Sequence, residues 1–62
     1  MLDSYKLKQL EGKTIKQQKE LLQNWIDMYK DAIVLNKNCF SDEKLFYYAD
    51  QIIAIARHME NL

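Results

Sequence analysis

The stretch Thr14-Ile15-Lys16-Gln17-Gln18-Lys19-Glu20-Leu21-Leu22-Gln23-Asn24-Trp25-Ile26-Asp27-Met28-Tyr29-Lys30-Asp31-Ala32-Ile33-Val34-Leu35-Asn36 decides the fold. A threonine followed three residues later by a glutamine is a capping box, in which two side chains satisfy two backbone donors that the first helical turn leaves without partners. Behind it Ile15, Leu22, Trp25, Ile26, Tyr29, Ala32 and Ile33 recur at helical spacing. Leu21, Met28 and Leu35 follow seven residues apart on the flank of that stripe. Together they widen the apolar arc to roughly half the circumference, beyond the ~100° stripe of an ordinary surface helix. The spacing predicts a helix over residues 14–36, ended by Asn36-Lys37-Asn38, since asparagine tolerates the left-handed conformation common at helix C-termini.

Working toward the C-terminus, Cys39 and Phe40 fall in a loop and Ser41 caps a second long helix, predicted over 41–61. Asp42 and Glu43 place negative charge in its first turn, where the helix dipole favours it. Leu45, Tyr48, Ala49, Ile52, Ile55, Ala56 and Met59 make its main face, Phe46 and Ile53 extend that face on one side, and Tyr47 lies nearly opposite. Ala49, Ala54 and Ala56 allow a neighbour to approach closely. Toward the N-terminus, Asp3 or Ser4 caps a short helix in residues 1–12 that Gly12 would stop. The alternation Tyr5-Lys6-Leu7-Lys8 leaves an extended arm open there.

Residues 1–62 read as one small all-α domain. It is expected to be an antiparallel helical hairpin with a short N-terminal helix or arm, dimerising into a four-helix bundle. Proline is absent and Gly12 is the sole glycine, so the turn chemistry that sheets require is missing. A chain of 62 residues buries only about 60% of its unfolded surface and gains from an added staple. Its one cysteine cannot form an internal disulfide and suits a reducing compartment. A second copy is the staple that remains. A 60-odd-residue chain of two helices pairing in this way resembles the Rop family, plasmid regulators that bind paired RNA loops. The resemblance rests on size, hairpin layout and the trailing Glu60-Asn61-Leu62; it reaches no functional motif, and no binding residue is carried over.

The nine basic and nine acidic residues cancel, which argues against bulk attraction to nucleic acid or anionic lipid. They are nonetheless polarised. Residues 1–20 hold five lysines against three carboxylates, and residues 41–62 hold two basic against four acidic groups, an arrangement that favours antiparallel contacts. No stretch approaches the ~20 apolar residues of a membrane span, and no signal-peptide core is visible, so a cytoplasmic protein is expected. The excess of lysine, isoleucine and asparagine over arginine is what an AT-rich genome produces, as in a low-GC bacterium or its phage.

Catalysis needs a nucleophile within hydrogen-bond reach of a base. Cys39 and His58 stand 19 residues apart, nearly 30 Å along a helix. Cys39 therefore reads as a loop thiol and His58 as a rim side chain. Asp27 and Asp31 share a helical face but lack the Glu-x-x-His spacing of di-iron bundles, and with Lys30 they read as a solvated face. Neither an enzyme nor a cofactor nor a metal is expected. The aromatic and methionine positions carry more signal. Phe46, Tyr47 and Tyr48 are consecutive, so they fan around a helix and cannot share one core. Leaving five large apolar side chains in water would forfeit about 1.5–3 kcal/mol each, comparable with the whole stability of a small domain.

The expectation is therefore a non-enzymatic regulatory or adaptor protein, a homodimer that binds a larger protein, with an inhibitor as its most concrete form. Leu21, Trp25, Met28, Leu35, Phe46 and Tyr47 are the candidate contact residues, within the dimer or beyond it. A rival from another class is a nucleic-acid regulator, Rop-like or helix-turn-helix, using Lys6, Lys8, Lys13, Lys16 and Lys19. A near absence of arginine and zero net charge weigh against it. A third possibility is a structural or assembly subunit that folds only inside a complex. A membrane partner is not expected.

Overall fold

The computed structural model describes residues 2–36, 38 and 41–62. Those residues are all-helical, with α1 at Ser4–Leu10, α2 at Ile15–Asn36 and α3 at Asp42–Glu60, and no strand among them. Each start is a side-chain cap. The Lys6 N–H donates to the Asp3 carboxylate at 2.8 Å, which makes residues 4–10 a helix and not an extended arm. At α2 the Thr14 N–H donates to Gln17 Oε1 at 3.0 Å and the Gln17 N–H to Thr14 Oγ1 at 3.1 Å, the reciprocal pair the sequence predicts. Ser41 Oγ accepts from the Lys44 N–H at 3.4 Å at the start of α3.

Gly12 holds φ of 75°, a region that costs any residue with a Cβ about 1–2 kcal/mol, and it turns the chain from α1 toward α2. The asparagine side chains also act at the helix ends. Asn36 Nδ2 donates to the Ala32 carbonyl at 3.1 Å, and Asn61 Nδ2 donates to the Arg57 carbonyl at 3.1 Å just past α3. Asn61 thus reaches one of the last four carbonyls of α3, whereas Asn36 adds a second donor to a carbonyl inside the last turn of α2. Cys39 and Phe40, expected in the loop, lie outside the described residues, as does Lys37.

α2 and α3 pack along one another in a molecule measuring 38 × 18 × 18 Å. Leu22 on α2 and Ile55 on α3 are fully buried, and the Tyr29 and Tyr48 rings pack at a 44° tilt with centroids 5.5 Å apart. Leu2 and Leu10 close the core from the N-terminal segment, with Leu21, Trp25, Ile26, Tyr29, Ala54, Met59 and Leu62 packed around it. Ile15, expected on the core stripe of α2, is exposed. It is the first residue of its helix, and no apolar residue of α1 is buried beyond Leu10 to reach it. Among the described residues, no helix is long and apolar enough to cross a membrane.

Candidate functional site

The six apolar candidates separate into two environments. Leu21 and Trp25 are half-buried, packed against the core cluster that Leu2 and Leu10 complete. Met28 and Leu35 lie on the same flank of α2 and stand 60% and 80% exposed. The flank is thus continuous in sequence but only partly covered in the fold. α1 spans about 10 Å, whereas α2 spans about 33 Å.

On α3, Tyr47 and Phe46 are both exposed, but consecutive residues on a helix diverge by about 100°, so they serve different sides. The Tyr47 ring meets Tyr48 edge-on at 5.7 Å, and Tyr48 in turn packs at a tilt against Tyr29. Lys6 of α1 lies over the other end of this ladder, its Nζ 5.5 Å from the Tyr29 centroid and 3.1 Å from Asp3 Oδ2. Nothing in the local spacing around Lys6 announces this contact, because the partner ring is 23 residues away.

These contacts set the charge states around α1. The hydrogen bond from the Lys6 backbone to Asp3, reinforced by the Lys6 ammonium, holds the Asp3 carboxyl below its ordinary value. Partial burial of Lys6 opposes its charge, but Tyr29 and Asp3 outweigh that effect and its pKa is raised. Lys6 is therefore committed to holding α1 on α2. Lys8, Lys13, Lys16 and Lys19 are exposed, three of them grouped from the Gly12 turn into the start of α2.

Two concave surfaces flank the α2–α3 pair. One, between α1 and α3, is lined by Leu2, Leu7, Ala54, Arg57, His58 and Asn61, so His58 borders a mainly apolar crevice. The other is a groove of about 410 Å³ between α2 and α3, with Ile26, Ala56 and Met59 as its apolar lining and Lys19, Gln23 and Glu60 at its rim. The sequence hinted at this groove through the closely spaced alanines of α3, but not at Ile26 as its other wall. Asp27 is exposed and accepts from Gln23 Nε2 at 3.1 Å. Among the described residues no group of three or more histidine, cysteine or acidic side chains is placed to hold a metal.

The exposed apolar side chains have a global counterpart. The surface area is 4836 Å², whereas a folded monomer of 7.5 kDa exposes about 4,250 Å². The radius of gyration is 12.4 Å, against about 10.6 Å for a compact chain of this length. No known family model, curated protein or solved structure matches the chain significantly.

Proposed function

We propose that this chain is a small, non-enzymatic regulatory or adaptor protein of the cytoplasm. In this reading α2 and α3 form an antiparallel hairpin that pairs with a second copy as a four-helix bundle. It acts by laying an apolar and aromatic helix face on a larger protein, most concretely as an inhibitor that occupies a surface of its target. The observation that carries it is the exposed flank of α2. Met28 and Leu35 are large, exposed and on one face, and exposed Tyr47 adds an aromatic side chain on α3. Aromatic residues anchor interfaces, and methionine adapts to irregular partner surfaces.

Because Trp25 packs against the core, its truncation would mix folding with binding. Leu35→Glu is the cleaner variant, since Leu35 contributes little to the chain's own core. Affinity capture of the tagged full chain from its host should recover one specific protein at both 50 and 200 mM salt, and Leu35→Glu should lose it.

The rival nucleic-acid reading draws on the exposed Lys13, Lys16 and Lys19 at the start of α2. Phosphate binding falls steeply over that salt range, whereas apolar contact hardly changes. RNA recovered equally by wild type and Leu35→Glu, and lost on Lys16→Glu with Lys19→Glu, would overturn the protein-binding reading.

A further inference from the structure

We propose that the second copy docks antiparallel along α3, each copy seating its Phe46 in the other's groove between α2 and α3. The inference rests on the homodimer named above and specifies its seam. Phe46, Ala49, Ile53 and Ala56 recur on α3 at intervals of three, four and three residues, the spacing of a coiled-coil seam. Phe46 is 70% exposed, Ile53 is exposed, and the two alanines between and beyond them are half-buried. A seam that alternates large and small residues accepts a copy of itself when the two run in opposite directions.

The groove lies at the far end of this seam from Phe46. Ala56 lines it, ten residues on and about 15 Å along the helix, so no chain fills its own groove with its own Phe46. A two-fold axis midway between Ala49 and Ile53 sets Ile53 against Ala49 of the other copy and Phe46 against its Ala56. Phe46 then lies over the apolar wall made by Ile26, Ala56 and Met59. Both contacts form at once and the interface closes on itself, as an isologous dimer must.

Charge agrees with this direction. The acidic first turn of α3, Asp42 and Glu43, precedes Phe46 by one turn. In the antiparallel arrangement it falls beside the start of the other copy's α2, where Lys16 and Lys19 are exposed, Lys19 on the groove's rim. Area agrees as well. The molecule exposes roughly 600 Å² more than a monomer of its mass, against about 800 Å² per partner in a standard interface.

The test is sedimentation of the purified full chain from 1 to 100 µM, with helicity checked by circular dichroism. Wild type should be a dimer. Phe46→Ala should raise its dissociation constant at least about a hundredfold, because two phenyl contacts are lost per dimer. Phe46 is mostly exposed within one chain, so this variant keeps its helicity. Met28→Ala should leave the dimer unchanged. Lys19→Glu and Glu43→Lys should each weaken the dimer, and the two together should restore it. Ala49→Cys with Ile53→Cys in a Cys39→Ser background should oxidise to a covalent dimer. A monomer at 100 µM, a dimer indifferent to Phe46→Ala, or a charge exchange that fails to restore association would each overturn the proposal. The purified system contains no larger protein, so its failure is distinct from failure of the functional reading. A monomer that still captures a target through Leu35 sinks only the seam, and a correctly seamed dimer that captures only RNA sinks only the protein-binding function.

Discussion

Leu10→Ala tests whether α1 is part of the core or an ornament on it. Leu10 is 5% exposed and meets Leu2, Leu22 and Ile55, so its side chain is removed from water almost completely. Burial of a leucine side chain contributes about 1.5–3 kcal/mol, and the cavity left by truncation raises the cost to about 2–5 kcal/mol. A domain of 62 residues has only about 3–9 kcal/mol in all. Tyr5→Ala is the matched control, a large apolar truncation in the same seven-residue helix at a side chain that is 72% exposed. It should cost less than about 0.5 kcal/mol. Urea unfolding followed by circular dichroism at fixed protein concentration measures both, since association makes apparent stability concentration-dependent. Trp25, the sole tryptophan, packs on the same cluster, so its emission should shift to the red in Leu10→Ala and stay in place in Tyr5→Ala. Equal losses from the two variants would refute the assignment of α1 to the core.

Two further outcomes follow from the caps. Thr14→Ala removes one half of the reciprocal Thr14–Gln17 pair and should cost about 1 kcal/mol by the same unfolding measurement; no loss would mean that the cap is idle. Asp3 binds fewer protons folded than unfolded, because its folded pKa lies below the ordinary 3.8. Its contribution is therefore present above that value and lost as pH falls through the lowered one. Asp3→Asn keeps a good cap residue but not the charge, so the acid-side loss of hydrogen-exchange protection in α1 should flatten in the variant. Identical pH profiles for the two proteins would contradict this account.

Local signals in this sequence are reliable where one residue acts on its own backbone. The capping box at Thr14, the Ser41 cap and the stop at Gly12 all involve partners within a few residues, and all appear in the fold. The core stripes were legible for the same reason, since periodicity identified Leu22 and Ile55 without knowledge of what they meet. What the sequence did not reveal depends on what α1 covers. Leu21, Trp25, Met28 and Leu35 lie on one flank and look alike in a helical projection, yet the first two are covered and the last two are not. Nor did local pattern give Lys6 over Tyr29, or Ile26 and Ala56 as two walls of one groove, because each pairs residues that only tertiary packing brings together.

The length of α1 is what divides this surface. Seven residues cover about a third of the span of α2, enough to bury Leu2 and Leu10 against Leu22 and Ile55 and to set Lys6 on the tyrosine ladder. A third helix as long as α2 would have run on past Tyr29 toward Leu35; Met28, one residue before the ring that α1 already reaches, is exposed through its position around the helix. Stopping at Glu11 and turning at Gly12 leaves the flank open at Leu35. Among the described residues, the opposite side of the pair carries the groove and the Phe46–Ile53 edge. The two open sides differ in kind. The α3 edge alternates large with small residues and ends in a groove that a copy of itself can fill, whereas the α2 flank offers flexible and exposed aliphatic side chains with no such internal match. The proposed allocation, self-association on the first and a foreign protein on the second, leaves the fewest of these side chains in water.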